Sequence, residues 1–151
     1  MKYYAAYGSN LDLAKMASRC PSAHAIAAGM LEDYQLEFRG SKNAYLTICP
    51  HNGQHVPLGI FSVEETDERN LDVYEDFPVL YYKKQISCTA TDLESHMVQT
   101  YDAFIYVMRD EQPIALPSNA YLDTVLQGYR DFGFDSNIIM EALHKAHQEK
   151  K

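Results

Sequence analysis

The apolar residues of this chain change period along its length, and each period predicts an element. Tyr3 to Ala6 form a short apolar run that meets Tyr7, Gly8, Ser9 and Asn10, the pattern of a strand delivering a polar loop. Leu11 to Met16 reads as a helix with Asp12 in its first turn, Asn10 as its cap and Pro21 as its stop. From Ala25 to Phe38 the apolar residues fall in strand-like patches, clearest where Tyr34, Leu36 and Phe38 alternate. Ala44–Cys49 and Val56–Val63 read as a hairpin around the turn residues Pro50, His51, Asn52, Gly53 and Gln54. Glu64–Tyr74 is acidic and helical, and Leu80–Thr91 and Met97–Met108 are long strands joined by a polar turn. Pro117 and Ser118 open a helix that Gly133 closes, and Asp135 or Ser136 caps a last one.

Successive strands with few helices between them, then a helical tail, predict an α+β domain on a small curved or closed sheet. Gly and Pro are spread singly, with no linker or repeat, so residues 1–151 read as a single domain. A doubly wound parallel fold fits poorly, because strand–helix alternation is sparse. Neither a Gly-x-Gly-x-x-Gly nor a phosphate loop ending in Gly-Lys is present, which disfavours dinucleotides and nucleoside triphosphates.

Charge narrows the partners. A formal charge of -8 argues against nucleic acid, the only basic cluster being Lys150 and Lys151. The 46% hydrophobic content is that of a soluble globule, and no stretch approaches membrane-spanning length, so no membrane partner is expected. Cys20, Cys49 and Cys88 are widely spaced and odd in number, which suits buried free thiols in a reducing compartment. The first residues lack the form of a signal peptide, and a cytoplasmic protein is the expectation. Exposed aromatic residues on a later strand or the final helices could pair two subunits as a homodimer.

Two places carry candidate chemistry. Gly8 lets a ligand approach the main chain, Ser9 and Asn10 bring short polar side chains, and main-chain donors at a helix start favour a carboxylate or oxyanion. The same residues also suit an ordinary strand-to-helix turn. Glu75 closes the acidic segment, whose other carboxylates read as a solvated helix face. It lies four residues after Leu71, so it shares a face that points inward if Leu71 is in the core, and Phe77 to Tyr82 follow it. Burial there would raise its pKa into the range of a general acid–base group, although many helix-end carboxylates only cap or face water. Ser9 is in no nucleophile elbow, no cysteine stands in a nucleophile's context, and His51 and His55 lie in a turn. No metal and no cofactor are expected.

Tyr7-Gly8-Ser9-Asn10-Leu11 and Leu71-Asp72-Val73-Tyr74-Glu75, with Arg19-Cys20-Pro21, Val56-Pro57-Leu58-Gly59 and Tyr81-Tyr82-Lys83-Lys84, resemble the gamma-glutamylcyclotransferase-like family. The tail Gly128-Tyr129-Arg130-Asp131-Phe132-Gly133-Phe134 resembles its small bacterial-type members. The resemblance implies a small mixed barrel-like sheet with flanking helices, and a cavity lined by Tyr7 through Leu11 that receives a gamma-glutamyl group. It implies that Glu75 is the acid–base residue of a cofactor-independent enzyme releasing 5-oxoproline. It also implies a tyrosine near Tyr82 in hydrogen-bonding reach of substrate or glutamate, although Tyr82 equally suits a core or interface place, and strand alternation puts Tyr81 on the opposite side, so that only one of the pair enters the cavity. The alternative is a non-catalytic module that binds a small ligand in the same cavity. Asp76 departs from the family's usual Gly after the glutamate, which bears on either the acidity of Glu75 or the turn.

Overall fold

A computed structural model describes residues 1–109 and 112–149, so Lys150 and Lys151 lie outside the described residues. The elements are β1 (Lys2–Ala6), α1 (Leu13–Arg19), β2 (His24–Arg39), β3 (Tyr45–Val63), α2 (Glu65–Tyr74), β4 (Tyr81–Asp92), β5 (Val98–Met108), α3 (Asn119–Phe132) and α4 (Asn137–Glu149). The strands close into a mixed barrel in the order β1-β3-β2-β4-β5. All pairings are antiparallel except the closing one, where Tyr4 of β1 lies beside Phe104 of β5 in parallel. This is the α+β, barrel-like sheet with flanking helices that was expected.

The expected hairpin within residues 44–63 does not form. β3 runs unbroken, and both its halves pair with β2, from Arg39 opposite Tyr45 to His24 opposite Ser62. Two segments that share one antiparallel partner run in the same direction and cannot fold back on each other. The turn-forming residues instead make an irregularity, with the register jumping between Glu32 and Tyr34, Gly53 at φ +85° and its N–H donating to Asp33 Oδ1 at 3.1 Å. Pro50 sits beside this irregularity, opposite Tyr34, where a missing donor is tolerated.

The chain leaves β1 through a single 3-10 turn, Ser9–Leu11, rather than directly into a helix. Asp12, not Asn10, caps α1, its carboxylate accepting from the Lys15 N–H at 3.2 Å. Asn10 is thereby released from capping and turned inward, 2% exposed. Leu11 is fully buried, which is worth roughly 2 kcal/mol of apolar burial. Gly128 of α3 and Gly59 of β3 let Leu11 in: a Cβ on Gly128 would stand 2.5 Å from Leu11 Cβ, and one on Gly59 2.7 Å from Leu11 Cδ2. The loop is thus pinned between the barrel and α3 by the absence of two side chains.

The acidic segment is less solvated than expected. Asp67 is 1% exposed and accepts from the main-chain N–H groups of Glu64 (2.9 Å) and Ser22 (3.2 Å), closing the start of α2. Glu68 binds Lys2 and Lys83, and Asp72 binds Lys83 and the Tyr106 hydroxyl. Cys20 and Cys88 are buried free thiols, whereas Cys49 is half-buried.

Candidate active site

A cavity of about 260 Å³ opens at the end of the barrel where β1 and β5 finish and β4 begins. Tyr7, Gly8, Ser9 and Asn10 form one wall, and Tyr74, Glu75 and Asp76, at the end of α2, face them. The early residues of β3, Tyr45 and Leu46, together with Tyr121 of α3, cover a third side. Two of the expected site residues lie elsewhere. Leu11 is in the core beneath the loop, because the 3-10 turn directs it toward α3. Tyr82 faces a different groove, which it shares with Tyr34, Arg39 and Lys84, and Tyr81 lines the cavity instead. Alternation puts the two on opposite faces of β4, Tyr81 opposite Met108 and Tyr82 opposite Val107, and barrel closure turns the Tyr81 face to the cavity.

Backbone geometry at the end of α2 sets Glu75 in place. Its N–H donates to Leu71 O at 2.8 Å, that of Asp76 to Val73 O at 3.2 Å, and that of Phe77 to Asp72 O at 2.9 Å. This is a Schellman closure with Asp76 in the left-handed position, φ +52°, where glycine is the usual residue. Asp tolerates that conformation better than most side chains. Leu71 is fully buried and Glu75 follows it on the same face.

Glu75 is packed among protein atoms on most sides but keeps part of its surface open to the cavity. Burial lifts its carboxyl to about 7, and the Arg19 guanidinium partly opposes the lift; Asp76 is not a cause of it. No donor among the described residues bonds the Glu75 carboxylate, so it is a free acceptor facing the cavity. The tyrosines around it stay protonated, because burial raises Tyr4, Tyr7, Tyr81, Tyr106 and Tyr121 well above their ordinary value.

The hydroxyl groups divide by what they hold. Tyr7 donates to Tyr106 O at 2.6 Å, Tyr81 to Leu46 O at 2.7 Å and Tyr106 to Asp72 Oδ1 at 2.6 Å, so these three brace the walls. Tyr121 accepts from the Leu46 N–H at 3.0 Å and Tyr4 from Asn10 Nδ2 at 3.0 Å, which leaves each with its own proton to give. Ser9 Oγ and the Tyr74 hydroxyl share one bond of 2.8 Å and therefore have a second proton free. Gly8 lets the Tyr121 hydroxyl come close, since a Cβ would lie 3.3 Å from it and the hydroxyl would have to give by a few tenths of an ångström. The cavity thus offers the Glu75 carboxylate, with the exposed Asp76 also in its lining, among several neutral donors. Such a set suits a ligand that carries an ammonium group next to carbonyl or carboxylate oxygens.

Tyr4, Tyr74, Tyr106 and Tyr121 were not singled out for this site from sequence, and little in the sequence distinguishes them; of Tyr81 and Tyr82, alternation said only that one enters the cavity. In a chain with 12 tyrosines, residue type has no resolving power. Alternation along β1, which turns Tyr4 and Ala6 to one face, is a usable signal for Tyr4. Tyr121 comes from α3, more than 100 residues from Tyr7, and only folding brings it there.

Among the described residues no group of three or more His, Cys, Asp and Glu side chains could hold a metal ion, and no helix is long and apolar enough to cross a membrane. Residues 4–123 match the family described as gamma-glutamyl cyclotransferase, AIG2-like. Among solved structures, one named gamma-glutamyl cyclotransferase superposes with a TM-score of 0.72 at 23% identity, covering 97% of this chain and 86% of that one. An uncharacterised human protein gives 0.73 at 23% identity with the same coverage. YkqA from Bacillus subtilis gives 0.65 at 16% identity, over 85% of this chain and 48% of its own. At these identities the likeness is one of fold. No curated protein sequence matches the chain.

Proposed function

This chain belongs to the gamma-glutamyl cyclotransferase, AIG2-like family, and from that premise we propose that it releases 5-oxoproline and a free amine or amino acid from a gamma-glutamyl amide. The observation that carries the reading is Glu75: a carboxylate raised to about 7, with no donor of its own among the described residues, facing a cavity of neutral donors. A group poised near neutrality can take a proton and return it within one turnover.

Glu75 removes a proton from the substrate's α-ammonium group, and the freed amine attacks the γ-carbonyl carbon. The new C–N bond closes a five-membered ring, and the carbonyl electron pair moves onto oxygen. Main-chain N–H groups of Gly8, Ser9 and Asn10 receive that oxyanion, a contact worth about 3 kcal/mol in acyl-transfer sites. The oxyanion then collapses, Glu75 returns its proton to the departing nitrogen as that C–N bond breaks, and the remaining extra proton of the ring nitrogen passes to the freed amine, leaving a neutral lactam and an ammonium product. Attack is intramolecular, so the reaction needs no enzyme nucleophile, and holding the substrate folded supplies much of the acceleration. Tyr7 and Tyr81 shape the pocket through their bonds to the main chain of β5 and β3. A small gamma-glutamyl substrate of the cytoplasm is the partner this reading implies.

The test is 5-oxoproline release from gamma-glutamyl dipeptides, gamma-glutamylamines and glutathione by wild type and Glu75→Gln. Release by wild type alone supports the reading. No release from any of them by folded protein, with binding of a glutamate-like ligand retained, replaces it with the non-catalytic binding module.

A further inference from the structure

Arg19, the last residue of α1, touches two residues of the cavity wall while lining none of the cavity itself. Its Nη1 donates to Asn10 Oδ1, and its guanidinium lies over the Tyr74 ring with Cζ 3.8 Å from the centroid. Each contact is passed on. Asn10 Nδ2 donates to the Tyr4 hydroxyl at 3.0 Å, and the Tyr74 hydroxyl bonds Ser9 Oγ at 2.8 Å. Tyr74 immediately precedes Glu75. The guanidinium therefore joins the polar loop after β1 to the end of α2, the two walls that face each other across the cavity. Among the described residues it has no carboxylate within salt-bridge distance, so its charge is spent on neither a surface pair nor a buried one.

We infer that Arg19 is a positioning residue, a planar clamp that fixes Ser9 and Asn10 of the loop against Tyr74 and so holds Glu75 at a set distance from the oxyanion-binding side. The role needs a guanidinium. A flat cation can donate in its plane to the Asn10 amide while stacking its face on Tyr74, and the compact ammonium of lysine cannot do both. The same charge also bears on Glu75 by favouring its ionised form. The other groups facing Glu75 carry no opposing positive charge at neutral pH: Tyr4 and Tyr7 from the first strand and its loop, Tyr81 and Tyr106 from β4 and β5, and Tyr121 from α3, all neutral. Asp76, next in the chain, is the other carboxylate of the cavity lining.

The catalytic part of this inference rests on the cyclotransferase reading, and its titration part does not. The experiment therefore measures both on Arg19→Gln and Arg19→Lys in the full chain. The Glu75 carboxyl midpoint is read by carbon-13 NMR, and 5-oxoproline release is measured from pH 6 to pH 9 on the best substrate of the panel. In Arg19→Gln the Glu75 midpoint moves upward from its wild-type value, and kcat/KM falls about tenfold on the alkaline plateau and about a hundredfold at pH 6. Arg19→Lys keeps the midpoint near wild type but loses the plateau by about tenfold, which separates charge from clamping. A folded Arg19→Gln with an unmoved midpoint and unchanged turnover overturns the inference. If Arg19→Gln does not fold, a fully active Arg19→Lys overturns the clamp and a tenfold loss with an unshifted midpoint supports it. If wild type turns over no substrate, the cyclotransferase reading falls while the NMR midpoint still decides whether Arg19 acts on Glu75.

Discussion

Glu75 binds its proton more tightly in the folded chain than in the unfolded one, because burial lifts its carboxyl from 4.5 to about 7. Folded protein therefore loses stability as pH rises through that window and recovers it on acidification. Glu75→Gln removes the buried charge, so at pH 8 the variant is more stable than wild type by up to about 3 kcal/mol, a gain that vanishes near pH 4.5. Urea denaturation at the two pH values checks this. Catalysis by the ionised form predicts the opposite trend in rate: kcat/KM for 5-oxoproline release climbs tenfold per pH unit below about 7 and is flat above, as a pH–rate profile would record. The two tyrosines at the start of β4 separate as cleanly. Tyr81→Phe loses the bond to Leu46 O that holds β3 over the cavity and cuts kcat/KM about tenfold, whereas Tyr82→Phe, in another groove, leaves it within about twofold.

At the scale of elements, the site depends on how α2 ends and how α3 approaches. Asp76 occupies a left-handed position that glycine takes without strain, so Asp76→Gly keeps turnover and raises stability by roughly 0.5–1 kcal/mol, read as an increase in Tm. A better-packed helix neighbour has the reverse sensitivity. In Gly128→Ala the new methyl meets the Leu11 carbonyl carbon at 2.6 Å and the Asp12 nitrogen at 2.7 Å, main-chain atoms that cannot rotate away. The expected cost is about 1–3 kcal/mol with a further loss of kcat/KM, because the displaced segment carries Ser9 and Asn10. Thermal melts and initial rates measure the two parts. The caps of α3 were legible in the sequence: Ser118 accepts from the Tyr121 N–H at 3.1 Å and Gly133 closes the helix at φ +72°. The cap of α1 was not, because Asn10 and Asp12 are both good caps and tertiary burial of Asn10 chose between them.

Across the whole molecule, α4 is tied to the barrel through Glu37 on β2, 3% exposed, which Lys145 and Arg39 reach from two sides. Burial alone would raise the Glu37 carboxyl, but the hydrogen bonds from Lys145 and Arg39 outweigh it and hold the group below its ordinary value. Stability from this group is present above about pH 4.5 and lost as pH falls through the lowered folded value. Lys145→Ala therefore destabilises by about 1 kcal/mol at pH 7, after allowance for solvent at the lysine, and by less below pH 4. Denaturation curves across that range test the difference.

Most of the elements came from the sequence by itself, because period and helix caps act over a few positions of chain. For Glu75 the spacing gave only a condition, that it points inward if Leu71 is in the core, and the family resemblance singled it out; the fold supplies the buried Leu71 that meets the condition. The single long β3, the inward Asn10, the Tyr81 face and the ring of tyrosines from β1, β5 and α3 were decided by tertiary structure. Each depends on which distant strand or helix is the neighbour, and barrel closure, not local preference, makes those neighbours.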